Sequence, residues 1–147
     1  ATPPHRLIEI LDRFAKFGKT LQATEFDINS DDEQFQADYT RDFMTALFSH
    51  PAVNGIIMWG FWDGRHWHKN APVFRKDWTM KPSGEVWVDH VFVKWWTTAD
   101  VRTDARGACA VRGFKGAYEI TAKVGRKTAT KHVTLGDGGA SVTVVLP

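Results

Sequence analysis

The chain has 147 residues, enough for one ordinary domain or two small ones with thin cores. That length excludes a complete eightfold α/β barrel, which needs roughly 250 residues. Hydrophobic residues make up 43% and charged residues 24%, a globular rather than disordered balance. The net charge of +2 is too weak to point to nucleic acid, and no apolar run approaches the ~18 residues of a membrane span. The single Cys109 cannot form an intramolecular disulfide and has no partner cysteine for a zinc cluster; no metal and no cofactor are expected.

The charge is unevenly spread. Residues 1–98 carry 11 Lys and Arg against 13 Asp and Glu, whereas residues 99–147 carry 8 against 4. All 7 tryptophans lie between Trp59 and Trp96, and the remainder is rich in Val, Thr, Ala and Gly. Two modules follow, 1–98 and 99–147.

Thr2-Pro3-Pro4 reads as a helix start rather than a signal peptide, with a capping hydroxyl before proline. Leu7, Ile8, Leu11, Phe14 and Ala15 keep helical spacing up to a stop at Gly18. Residues 20–28 predict a strand with Leu21, Ala23, Glu25 and Asp27 on one face, and two carboxylates there are unusual for a core strand. Ser30 and Glu33 have the spacing of a capping box, and Phe35, Tyr39, Phe43, Leu47 and Phe48 draw an apolar stripe behind it. Gly55 to Phe61 predicts a fully buried parallel strand. Gly84 to Trp96 predicts a helix with Val88, Val91, Phe92 and Trp95 inward, and Trp87 and Trp96 also serving packing. Helix–strand–helix–strand–helix is a piece of a parallel α/β sheet or barrel with only two strands.

From about Asp100 the period changes to two. Residues 108–111, 117–124, 127–135 and 140–146 are predicted strands separated by glycine turns, making a small antiparallel sandwich-like module.

In parallel α/β folds chemistry collects at the carboxyl ends of strands. Here one strand ends in Thr24-Glu25-Phe26-Asp27 and the next in Trp59-Gly60-Phe61-Trp62-Asp63-Gly64-Arg65-His66-Trp67. A carboxylate at one strand end and tryptophans at the next suit a sugar: pyranose faces stack on the rings, and the carboxylate attacks or stabilises an oxocarbenium-like centre. Trp59, Trp62, Trp67 and Trp78, with Arg65 and His66, are the candidate sugar contacts. His66 and His68 alternate as metal ligands can, but no third ligand stands at a suitable spacing.

These two segments resemble glycoside hydrolase family 10, the endo-β-1,4-xylanases, over about residues 2–96. The resemblance rests on Leu21–Asp27, similar to the family's Ile-Thr-Glu-Leu-Asp strand, and on Trp59–Trp67, similar to its Trp-Gly-x-x-Asp-x-x-x-Trp segment. It implies that Glu25 is the nucleophile of the seventh barrel strand, Asp27 a supporting carboxylate, and Trp59 and Trp67 the aromatic wall on the eighth. It also implies a secreted protein and xylan as partner. The family's acid/base glutamate stands in an Asn-Glu pair, and this chain contains none. The expectation is therefore an inactive fragment. It would be completed by a second barrel fragment or by its own copies in a homo-oligomer; alternatively it binds a β-linked plant cell-wall glycan without cleaving it. The 103–120 segment resembles the transthyretin-like or fibronectin-like β modules appended to secreted bacterial enzymes.

Overall fold

The computed structural model describes residues 2–147, which form two compact units, 2–93 and 94–147. The first contains α1 (Pro4–Ala15), β1 (Leu21–Phe26), α2 (Glu33–Ser49), β2 (Val53–Met58) and α3 (Pro82–Asp89), the last running into a π turn at His90–Lys94. β1 and β2 pair in parallel, with α2 as the crossover that parallel neighbours require.

The helix starts differ from the sequence expectation. Thr2 does not cap α1: Pro3 is the N-cap, and its carbonyl accepts from the Arg6 and Leu7 N–H groups. At α2 the Asp32 carboxylate accepts from Phe35 N–H at 2.9 Å, and Ser30 Oγ receives the Asp32 N–H at 3.1 Å instead of forming a capping box. Glu33 is thereby free to reach a distant arginine.

The face that α2 buries is also offset from the aromatic stripe. Gln36, Ala37, Thr40, Met44 and Leu47 are buried, while Phe35 and Phe48 stay exposed. Tyr39 and Phe43 still contribute by flanking Phe26 of β1, whose ring lies 4.2 Å from that of Phe43 at an interplanar angle of 14°.

The expected face of β1 is broken by a bulge. Ala23 pairs with Ile56 and Phe26 with Met58, so three steps on β1 match two on β2. Strict alternation would place Glu25 on the side of Leu21 and Ala23. With the extra residue, Leu21, Ala23 and Phe26 are the shielded positions, and Thr24 and Glu25 are exposed. Nor is β2 fully buried: Ile57 is 52% exposed, because a two-stranded sheet leaves its second face uncovered. The last helix also ends early, and Val88 and Phe92 are exposed rather than inward.

The second unit holds one antiparallel hairpin, β3 (Gly116–Val124) and β4 (Lys127–Leu135), in unbroken register from Gly116↔Leu135 to Val124↔Lys127. Tyr118, Ile120 and Ala122 are half-buried and their neighbours exposed, as period two requires. Residues 108–111 and 140–146 form no strands: they lack ladder partners, although Val142, Val144 and Leu146 keep an alternating burial. The sandwich expected from sequence is thus a single hairpin with extended flanks. Asp104 shapes one flank by accepting the Arg106 and Ala108 N–H groups, both at 2.9 Å, ahead of Gly107 at φ +77°.

The long segment after β2 is fastened to the β1–α2 junction by buried polar groups. The Gln36 amide nitrogen donates to the carbonyls of Ile28 (2.8 Å), Ser30 (3.0 Å) and Asn70, and the Asn70 side chain donates to Asp31. Lys81, only 2% exposed, pairs with Asp63 at 2.9 Å and donates to the Asn70 carbonyl at 3.0 Å. Arg75 grips both oxygens of Glu33 and donates to the Met80 carbonyl. This fork holds the Glu33 carboxyl below its ordinary value near 4.5, the Arg75 hydrogen bond being the main cause.

Two expectations follow. Lys81→Met leaves Asp63 buried without its cation and costs about 3–5 kcal/mol in urea unfolding, whereas Lys81→Met/Asp63→Leu recovers most of that loss; a single-variant loss under about 1 kcal/mol contradicts the buried-pair description. Glu33→Gln is expected to lower the thermal midpoint at pH 7. A depressed carboxylate stabilises the fold above its unfolded pKa and ceases to do so as pH falls through the folded one. The gap between wild type and Glu33→Gln therefore shrinks below about pH 4.5, and a gap that persists unchanged to pH 3 contradicts the assignment.

Candidate active site

β1 and β2 run in the same direction, so their carboxyl ends lie side by side and the segments leaving them share one edge. Glu25 stands near the end of β1, exposed, and its carboxylate has no hydrogen bond or ion pair among the described residues. The bulge is what turns it away from the shielded side. Asp27 lies two residues on, half-buried, with Oδ2 at 3.7 Å from Nε2 of His66.

β2 is followed by Trp59, whose N–H still donates across to the Phe26 carbonyl at 2.9 Å. Gly60 then turns the chain at φ +76°, a conformation that favours glycine, and an added Cβ there would meet the His66 ring at 2.7 Å. His66 is the pivot of this turn. Its side chain is 5% exposed, and Nε2 donates to the Trp59 carbonyl at 2.7 Å. Nδ1 accepts the His68 N–H at 3.1 Å, with the His68 carbonyl 2.8 Å away. Both ring nitrogens are therefore occupied by main chain, with Asp27 alongside.

Around this pivot Trp59, Gly60, Arg65, His66 and Trp67 line an open cleft of about 400 Å³. Trp59 is 44% and Trp67 76% exposed, and Trp67 rests on His68 with ring centroids 4.4 Å apart. Exposed indoles flanking a cleft are what an apolar sugar face needs. Arg65 is exposed and its guanidinium has no partner among the described residues.

The other two candidate tryptophans are not in this cleft. Trp62 stacks on Trp78, with centroids 4.7 Å apart and planes 9° from parallel, and donates from Nε1 to the Lys76 carbonyl at 3.3 Å. Phe61 and Phe74 each lie 6.3 Å from Trp78 and complete a separate aromatic cluster. Trp78 has φ +68°, the left-handed region that a bulky side chain avoids, and it remains 57% exposed. The turn that holds it there is closed by Arg75 N–H to the Thr79 carbonyl at 2.9 Å and by Asp77, which accepts both the N–H and the hydroxyl of Thr79. Those two bonds to Thr79 lower the pKa of the Asp77 carboxyl.

The arrangement thus gathers Trp59, Arg65, His66 and Trp67 into one cleft and ties Asp27 to it through His66. It displays Glu25 on the open face of the neighbouring strand and sets Trp62 and Trp78 apart. Sequence reasoning singled out neither Gln36 nor Asn70, and it read Glu33 only as part of a capping box. Their types are ordinary for a helix face and a loop, and only the contact between distant segments marks them. Lys81 and Arg75 carried a weak signal, as cations within an aromatic-rich stretch.

Residues 1–89 match the model of glycosyl hydrolase family 10. The chain is 34% identical to the anti-sigma-I factor RsgI6 of Acetivibrio thermocellus over 94% of its length, covering 19% of that protein. It is 30% identical to endo-1,4-beta-xylanase 1 of Arabidopsis thaliana over 92% of its length, covering 15% of that protein. The crystal structure of xylanase 10B from Thermotoga petrophila, solved with xylobiose, superposes with a TM-score of 0.53 at 26% identity, covering 58% of this chain and 31% of that one. Native xylanase 10B from Thermotoga maritima gives 0.52 at 26% identity, over 56% of this chain and 30% of that one. The chain spans a fifth or less of the length of these curated relatives. With the family model covering well over half of its residues, the chain belongs to glycosyl hydrolase family 10.

Proposed function

We propose that residues 1–98 are the carboxyl-terminal part of the barrel of a retaining endo-β-1,4-xylanase, with Glu25 as nucleophile and Trp59 and Trp67 as the wall of its sugar subsites. The observation that carries this reading is the exposure of Glu25, without a partner, at the strand end beside a cleft lined by two open indoles. Asp27 has a supporting role, in contact with His66. Trp62 and Trp78 form an outlying platform for a longer glycan.

In a retaining hydrolase the nucleophile's carboxylate forms a bond to the anomeric carbon as the bond to the leaving oxygen breaks. A second carboxyl, about 5–5.5 Å from the first, delivers the proton which that oxygen needs, and later takes one from the water that hydrolyses the glycosyl-enzyme. Asp27 is two residues from Glu25 on the same segment and is engaged by His66, which makes it a poor donor across the sugar. No other carboxyl of the chain is an evident substitute, so on this reading the acid comes from a different polypeptide segment. The two unpaired edges of the β1–β2 sheet are where the strands of such a partner, a complementing barrel fragment or further copies of this chain, would pair. On this reading the protein works outside cells, where polymeric xylan lies, and residues 99–147 act as an accessory β module of transthyretin-like or fibronectin-like kind.

A second reading is glycan binding without cleavage. It is favoured by the 34% identity to a protein named as an anti-sigma factor rather than a hydrolase. Both readings predict that the 147-residue chain alone releases no reducing sugar from xylan. Both also predict retention on insoluble xylan, reduced by at least about fivefold in Trp59→Ala or Trp67→Ala, the loss of one stacking contact. Hydrolysis that disappears in Glu25→Ala would overturn the inactive-fragment reading. Failure of the parent chain to bind would overturn the glycan site. Restored hydrolysis on mixing with the preceding barrel strands separates the first reading from the second.

A further inference from the structure

The polar groups of the Trp59–Trp67 cleft are one-sided. A neutral pyranose presents hydroxyls that both donate and accept, and a site for it offers acceptors as well as donors. This cleft, lined by Trp59, Gly60, Arg65, His66 and Trp67, contains no carboxylate, amide or hydroxyl side chain. The one imidazole has both nitrogens taken by the carbonyls and N–H of Trp59 and His68. Among the lining side chains, those left to a ligand are two indole N–H groups and the Arg65 guanidinium, all donors; the free carboxylate of the site, Glu25, stands outside this lining at the end of β1. Arg65 is exposed and unpaired among the described residues, although Asp63, two residues away, is itself committed to Lys81 at 2.9 Å.

Resting on the reading of this cleft as a sugar site, we propose that it selects an acidic glycan: a β-linked xylan chain bearing a uronic acid branch. The uronate carboxylate lies against Arg65 while the neutral rings lie on Trp59 and Trp67. The planar guanidinium fork matches a carboxylate with two parallel N–H···O bonds, which a lysine or an uncharged donor cannot reproduce. The indoles supply affinity that is indifferent to the branch, so Arg65 acts on discrimination and the tryptophans on binding as such. Arg65 is the specificity-determining residue of the cleft.

The test compares two oligosaccharides differing in one group: a xylo-oligosaccharide with a single glucuronic acid branch, and the same molecule with that carboxylate reduced to the alcohol. Each is titrated into the full 147-residue chain and followed by tryptophan fluorescence and calorimetry. The acidic form is expected to bind about tenfold more tightly in dilute buffer, the effect of one charge-assisted contact. That preference is expected to collapse in molar salt, because the contact is open to solvent. Arg65→Gln should bring the two affinities together, and Arg65→Lys should leave an intermediate preference. Equal affinity of the wild-type chain for both forms, or a preference that survives Arg65→Gln, overturns the uronate assignment and leaves the sugar site standing. Binding of neither form overturns both.

Discussion

One amide holds the candidate site together. The Gln36 side chain leaves the buried face of α2 and spends its nitrogen on main-chain carbonyls from two separate segments: Ile28 and Ser30 after β1, and Asn70 in the long excursion after β2. Those carbonyls have no sheet or helix partner there, and an orphaned buried carbonyl is costly. Lys81 reinforces the same carbonyl of Asn70 and neutralises Asp63. Because these donors and carbonyls pair with one another, although the Gln36 Oε1 is buried without a partner among the described residues, an irregular loop of more than 20 residues can be seated on the end of the sheet without a large apolar core beneath it. Removing Gln36 leaves the Ile28 and Ser30 carbonyls without this donor, and removing Lys81 leaves Asp63 without its cation.

What this seating achieves is a fixed relation between two strand ends. The β1 end presents Glu25 and Asp27, and the β2 end presents Trp59, with His66 bridging from the Trp59 carbonyl to the neighbourhood of Asp27. The indoles are thus borne on a turn pinned from below. On the proposed glycan reading, such prior ordering would lower the entropy cost of laying a flexible polysaccharide on the cleft. It also explains how a two-stranded α/β piece keeps a formed cleft even though Ile57 and the outer face of its sheet are bare. Binding surface and proton-transfer machinery are separable in such a layout: stacking needs only this turn, while glycosidic cleavage needs a second carboxyl on the far side of the sugar.

The order of elements in the first unit could be read from spacing and glycine stops, because helix and strand periods differ and each segment is long enough to show its own. Family membership was legible for a different reason. Glu25 and the Trp59–Trp67 segment are chemical signatures, and their separation across one capped helix is specific. The side of the sheet on which Glu25 stands was not legible. Alternation places it with Ala23, and a one-residue bulge moves it, with nothing in Thr24-Glu25 to announce the slip. The aromatic stripe of α2 misled similarly. A pattern of apolar residues reports which face is greasy, whereas the face buried here is the one from which Gln36 reaches the loop carbonyls. In the second unit, residues 140–146 alternate as a strand should, yet no strand pairs with them, and a ladder is a property of two segments rather than one.

The assignment of the glycan surface to the pinned turn can be tested through the 7 indole Nε1–H resonances of the uniformly 15N-labelled chain. Titration with a xylo-oligosaccharide is predicted to move the Trp59 and Trp67 signals, identified by single replacement with phenylalanine, and to leave those of Trp87, Trp95 and Trp96 in place. Shifts confined to Trp87, Trp95 and Trp96, or a spectrum in which none of the seven signals moves at saturating sugar, would contradict the placement of the binding face at the carboxyl end of β2.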